Sequence, residues 1–159
     1  MAGRTEGSAL QADEVVEQIR PDRLFVLAFL DDRGEPAVSA VTWVRGRPPD
    51  RVDVVVGRRA RLLRSLAVHP AVVLVTFAPS VLAVAGEARV VEPRVPGVPI
   101  PLARVEIRVE GVRDVMFTGG VLEAGPRVAK TYPPRLAGLD RTVARYLDDV
   151  GTHPEVGGP

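Results

Sequence analysis

The chain has no cysteine, which excludes disulfides, zinc–cysteine centres and thiol catalysis. Its two histidines, His69 and His153, are too few for a histidine-built metal cage. Aromatic residues make up only 4% of the chain and the formal net charge is +1. A nucleic-acid binder that tracks phosphates and stacks bases needs more of both. No apolar run approaches the roughly 20 residues of a membrane span. The N-terminus, MAGRTEGSALQADE, lacks a signal-peptide core. The expectation is a cytoplasmic protein with no membrane and no nucleic-acid partner. Lysine is scarce too: Lys130 is the only one, so arginine supplies 20 of the 21 basic residues (21 less one).

What is present suffices for one domain with a real core: 159 residues, 46% of them apolar. Residues 1–7 are expected to be disordered, 8–150 to form the domain and 151–159 a flexible tail. Ser8 followed by Gln11 is a capping-box pattern, predicting a helix to about Ile19. Leu24 to Leu30 reads as an apolar strand. Asp31-Asp32-Arg33-Gly34 is turn chemistry, and Pro36 to Arg45 is the return strand of a hairpin. In that strand Ser39, Val41 and Trp43 alternate with Ala40, Thr42 and Val44, so one set faces inward and the other outward.

The most informative stretch is RVDVVVGRRARLLRSLAVHPAVVLVTF, Arg51 to Phe77. Val52 to Val56 is β-branched and ends at Gly57, which permits a sharp turn. A helical wheel from Arg58 puts Leu62, Leu63, Leu66 and Ala67 on one side, with Arg58, Arg61, Arg64 and Ser65 on the other. His69-Pro70 stops the helix, and Ala71 to Phe77 is a buried-type strand. No Asp or Glu occurs between Asp53 and Glu87. Arg58, Arg59, Arg61 and Arg64 therefore crowd a helix start, where cations are mildly repelled unless an anion sits among them. Two readings stand: a cofactor-phosphate site, or a solvated face in a chain that uses arginine everywhere.

Further on, Val81 to Val91 is another strand with Gly86 at a bulge. Glu92 to Pro101 is a proline-stiffened loop. Leu102 to Phe117 is a long strand in which Val105, Ile107 and Val109 alternate with Glu106, Arg108 and Glu110. That charged face is read as solvated, or as pairing across a dimer. A last helix is predicted from about Leu139 to Val150. The fold class is mainly β with flanking helices, a six-stranded antiparallel barrel, closed or partly closed.

This order of elements resembles the flavin-binding split β-barrel family typified by pyridoxamine 5'-phosphate oxidases. The resemblance rests on the Asp-Asp-Arg-Gly turn, the strand with Trp43, the RARLLRSLAVHP helix and the VVLVTF and VAGEARVVE strands, about Leu24 to Glu92. It implies a homodimeric flavin mononucleotide (FMN)- or deazaflavin-dependent oxidoreductase acting on a small-molecule substrate, with haem as another cofactor found on this fold. The alternative is a non-catalytic split barrel binding a small anion or haem. By the family's pattern the cofactor contacts fall on Ser39, Ala40, Val41, Thr42, Val55, Val56, Gly57 and Arg61. Apart from the family's pattern, Arg58 or Arg59 in the preceding turn is expected to compensate for a lost lysine. The family's Ser-Arg-Lys becomes Ala60-Arg61-Leu62 here, a strand glutamine becomes Val81, and the substrate motif of true pyridoxamine phosphate oxidases is absent. No catalytic residue is assigned. Trp43 has two readings, a ring stacked on the cofactor or a partner subunit, or a core side chain. Tyr132 and Tyr146 read as packing groups, His69 as a turn residue, and His153 with Glu155 as a tail pair.

Overall fold

The computed structural model describes residues 10–152. Ser8, the 1–7 segment and the His153–Glu155 pair lie outside the described residues. The elements in order are α1 (Ala12–Glu17), β1 (Phe25–Leu30), β2 (Pro36–Val41), β3 (Val44–Arg47), β4 (Arg51–Gly57), α2 (Arg61–Ser65), β5 (Ala71–Phe77), β6 (Val81–Glu92), β7 (Leu102–Asp114), a 3₁₀ turn (Pro134–Leu136) and α3 (Leu139–Thr152).

The strands form one seven-stranded sheet in the order β2-β1-β5-β6-β7-β4-β3, with antiparallel pairing throughout. Seven strands replace the expected six because the return strand is two. It breaks at Thr42-Trp43, and its halves lie on opposite edges of the sheet. Consecutive segments two residues apart can occupy opposite edges only if the sheet curls until those edges meet. The Val55 N–H donates to the Trp43 carbonyl at this corner, 2.9 Å, which carries the β3–β4 pairing up to the point where the chain passes from one edge of the sheet to the other. The break also shifts the alternation by one residue. Ala37, Ser39 and Val41 face inward, but the next buried residue is Val44, not Trp43. Simple period-two counting fails across such a corner.

Inside the barrel, Leu27, Val44, Val52, Val54, Leu62, Leu74, Leu82, Val84, Val105 and Ile107 are almost fully buried. α1 covers part of this core through Val16 and Ile19. It starts later than expected, and Gln11 makes no side-chain cap. A second cluster lies on the outer face of β4 and β7, where Val55, Val95 and Leu102 pack under Leu139, Val143 and Leu147 of α3. Gly86 stands at the register shift between β6 and β7. A Cβ there would sit 2.1 Å from the Arg108 carbonyl oxygen, so the bulge requires glycine. Among the described residues no helix is long and apolar enough to cross a membrane.

Candidate functional site

The β4–α2 junction is built as a turn followed by a short helix. Gly57 ends β4, the Ala60 N–H closes back on the Gly57 carbonyl at 2.9 Å, and α2 begins only at Arg61. Arg58 and Arg59 thus belong to the turn and not to the helix. α2 is anchored by Leu62 and Leu66, and Ser65 is buried with them, its hydroxyl donating to the Leu62 carbonyl at 2.8 Å. The wheel had placed Ser65 on the polar side and Ala67 on the apolar one; Ala67 is exposed.

Four arginines leave this small unit into solvent: Arg58, Arg59, Arg61 and Arg64 are all exposed. One of them finds an anion belonging to the chain. Arg61 Nη2 donates to Asp31 Oδ2 at 2.8 Å. The other oxygen of Asp31 accepts the N–H groups of Arg33 and Glu35, both at 2.9 Å. The Glu35 N–H bond is the main cause holding the Asp31 carboxyl below its ordinary range; burial opposes it, and the Arg33 N–H and Arg61 charge add to it. Among the described residues Arg58, Arg59 and Arg64 have no carboxylate partner. The stretch free of acidic residues along the chain therefore receives one from the β1–β2 turn, across 30 residues.

The remaining residues carried over from the resemblance divide by face. Ser39 and Val41 point toward the interior and Ala40 is exposed on the outer face of β2. Val56 lies in the barrel core, whereas Val55 lies outside it under α3. Gly57 is exposed. Thr42 Oγ1 accepts from Lys130 Nζ at 2.7 Å. The corner thus brings Thr42 and Val55 together, but not with the arginines in one cleft.

Lys130, Asp140 and Tyr132 form a cluster that sequence reasoning missed. Asp140 Oδ1 accepts from Trp43 Nε1 (2.8 Å), Lys130 Nζ (2.7 Å) and the Tyr132 hydroxyl (2.9 Å). Lys130 Nζ also lies 5.4 Å from the Trp43 ring centre and 5.8 Å from that of Tyr132, within cation–π range. Burial raises the Asp140 pKa, but the bonds from Lys130, Trp43 and Tyr132 outweigh it and hold the carboxyl below its usual value. Burial and the Asp140 bond push the Tyr132 phenol up to about 12. The one available signal was that the sole lysine interrupts an all-arginine pattern. The cluster ties α3 and the preceding loop to the β2–β3 corner. Trp43, half-buried, has the mixed packing and hydrogen-bonding role common for tryptophan. His69 is a turn residue packed on the β1–β2 turn: its Nε2 lies 3.6 Å from where a Gly34 Cβ would be.

A flavin-type cofactor has a phosphate end and a ring with a polar edge, and the two fare differently here. The phosphate end fits Arg58 and Arg59 of the turn and Arg61 at the start of α2, three forks with one carboxylate among them. An apolar wall is also present. A groove of about 540 Å³ runs over the outer face of the sheet, lined by residues such as Ala28, Leu30, Val38 and Val73, and Asp31 follows directly on Leu30. The polar edge of a ring does not fit at Thr42 and Val55. There the hydroxyl, the Val55 N–H and the Trp43 indole N–H are already bonded. No group of three or more His, Cys, Asp or Glu side chains that could hold a metal occurs among the described residues.

The fold is that of the split β-barrels of the pyridoxamine 5'-phosphate oxidase type. The chain is similar to an F420 reductase, at 15% identity over 59% of this chain and 91% of that one, TM-score 0.50. It is similar to a putative pyridoxamine 5'-phosphate oxidase from Lactobacillus delbrueckii, at 18% identity over 69% and 95%, TM-score 0.50. It is also similar to HupZ of Group A Streptococcus, at 12% identity over 73% and 98%, TM-score 0.51. At such identities what is shared is the fold. No protein-family model and no curated protein sequence matches the chain.

Proposed function

We propose that this protein is a split-barrel oxidoreductase dependent on FMN or a deazaflavin, acting on a small molecule as a homodimer. The observation that carries the reading is the β4–α2 turn, where Arg58 and Arg59 stand exposed beside Arg61 and have no carboxylate partner among the described residues. A phosphate there gains charge-assisted bonds that nothing else among the described residues supplies. When bound, the flavin or deazaflavin supplies the hydride chemistry. The chain's own part is to hold the phosphate, to offer the outer sheet face as an apolar wall and to exclude water from it with a second copy. That face suits a second copy because the outward residues of β1, β2, β5 and the first half of β6 are apolar, Val26, Ala28, Val38, Val75 and Ala83 among them. A sheet apolar on both sides needs a cover on each.

A second reading has a specific observation behind it. With Thr42, Val55 and Trp43 engaged internally, the chain can serve as a non-catalytic barrel that takes only a small anion on the arginine turn. Titration separates the two. The purified chain is titrated with FMN, riboflavin, inorganic phosphate and F420, and its absorbance is followed. Under the cofactor reading FMN or F420 binds, riboflavin binds at least about tenfold more weakly than FMN, and Arg61→Ala weakens the phosphorylated ligand by about tenfold. The bound protein then also consumes a reduced nicotinamide or reduced F420. Phosphate binding with no flavin or F420 binding selects the second reading, and no binding of any of them removes both.

A further inference from the structure

A separate cavity of about 270 Å³ opens at the barrel mouth, between α1, the entry to β1, the end of β5 and the loop segment Gly125–Pro126. None of the residues proposed for cofactor phosphate lines it. Its lining is mixed: Ile19, Phe25 and Phe77 supply apolar wall, and three polar side chains, Gln18, Arg23 and Thr76, also line it.

Thr76 is the informative one. It occupies the inward phase of β5 after Val72 and Leu74, is 4% exposed, and its hydroxyl has no hydrogen-bond partner among the described residues. Valine has nearly the same shape and no polar atom, so packing alone does not call for threonine. Buried hydroxyls are almost always partnered, and one that is not, on the wall of a cavity, marks a place where a ligand can supply the bond. Arg23 is exposed at the mouth and has no carboxylate partner among the described residues; its planar fork matches a carboxylate. A pocket that pairs aromatic and aliphatic wall with a few polar groups has the general form of a small-molecule site. Its volume falls just under the ~300–1,000 Å³ of sites for drug-sized ligands, which restricts the ligand to about one ring.

We infer that this pocket binds a small aromatic carboxylic acid. Its carboxylate lies on Arg23 and Gln18 at the mouth, its ring among Ile19, Phe25 and Phe77, and a polar ring substituent on the Thr76 hydroxyl. The experiment is calorimetric titration of the full chain with 4-hydroxybenzoate, benzoate and inorganic phosphate, with amide chemical shifts to locate binding. The expected result is saturable binding of 4-hydroxybenzoate, weaker binding of benzoate, none of phosphate at this pocket, and shifts centred on Phe25, Thr76 and Phe77. Arg23→Gln, a surface change that leaves the fold intact, is expected to weaken both acids by about tenfold. Thr76→Val is expected to remove the preference for the hydroxylated acid while leaving benzoate affinity unchanged. The inference is overturned if neither acid binds, if the shifts map to Arg58–Arg61 instead, if phosphate binds the pocket as well as the acids do, or if Arg23→Gln changes nothing. Because Arg23 and Thr76 play no part in the phosphate turn, failure here leaves the cofactor reading standing, and the reverse.

Discussion

Asp53 and Arg104 form a buried ion pair. Their side chains are 0% and 3% exposed, and Arg104 Nη1 donates to Asp53 Oδ1 at 2.8 Å. Arg47 binds the same carboxylate and also Glu106, while Arg104 reaches the Tyr146 hydroxyl at 2.8 Å. Glu106, expected to be solvated or to pair across a dimer, is instead a half-buried hub facing Arg47, Arg51 and Arg89. Arg108 and Glu110 on the same face are exposed, as expected of a solvated face. A buried pair is weak evidence for net stability, but breaking one half leaves a buried uncompensated charge. Asp53→Asn is accordingly expected to destabilise the protein by about 3–5 kcal/mol, read by urea unfolding. Because the partners share one network, Asp53→Leu combined with Arg104→Leu is expected to cost less than the sum of the two single changes. Additive losses would show that the two side chains act independently. Neither residue stood out in the sequence, since Asp53 sits in an otherwise apolar strand and its partner lies 51 residues away.

At the scale of elements, α3 covers the outer face of β4 and ties the β2–β3 corner to the rest of the barrel. Its Leu139, Val143 and Leu147 lie buried over Val55, and Asp140 at its start holds Trp43 and Lys130. Arg45 of β3 also pairs with Asp148 of α3. The sequence pattern located this helix well, because its apolar residues recur at helical spacing. It did not reveal which strand face the helix covers, for nothing local encodes a docking partner. Leu147 is 0% exposed, and Leu147→Ala is expected to cost about 2–5 kcal/mol. Trp43 is the only tryptophan and packs at the edge of the same cluster. Its fluorescence should therefore shift to longer wavelength in that variant under native conditions. An unchanged emission maximum with full loss of stability would mean that α3 stays docked at Trp43 and that the damage lies elsewhere.

Across the whole molecule two behaviours follow. The first is acid sensitivity. The carboxyls of Asp31, Glu106 and Asp140 are all held below their ordinary values of 3.8 to 4.5 in the folded protein. For Glu106, burial raises the value and the bond and charge of Arg47 more than offset it. A group depressed in the folded state binds fewer protons there than in the unfolded chain. Its stabilisation is thus complete above the ordinary value and is lost as pH falls through the folded one. Melting temperature should be flat from neutrality to about pH 5 and then fall steeply through the range below 4.5. In the Asp31→Asn variant the acid slope should be shallower; an equal slope would remove Asp31 from the linkage. The second belongs to the proposed homodimer, for which the apolar outer face is the proposed interface. Val38 is 70% exposed on that face, and Val38→Glu is expected to give a monomer by analytical ultracentrifugation where the parent chain is a dimer. A monomeric parent chain would refute the covered-face argument.

Apolar stretches and turn residues were enough, read along the chain, to find most strands, the bulge glycine at position 86 and a barrel architecture; the helix expected to run to His69-Pro70 ends earlier, at Ser65. Those features are local: each depends on side-chain period or backbone freedom within a few residues. Three matters were decided only by tertiary structure: the corner at Thr42-Trp43 that makes six strands seven, the Asp31 carboxylate delivered to Arg61, and the covering of Val55 by α3. Each depends on residues distant in sequence meeting in space, where curvature and packing, not local preference, determine which groups remain free to bind a ligand.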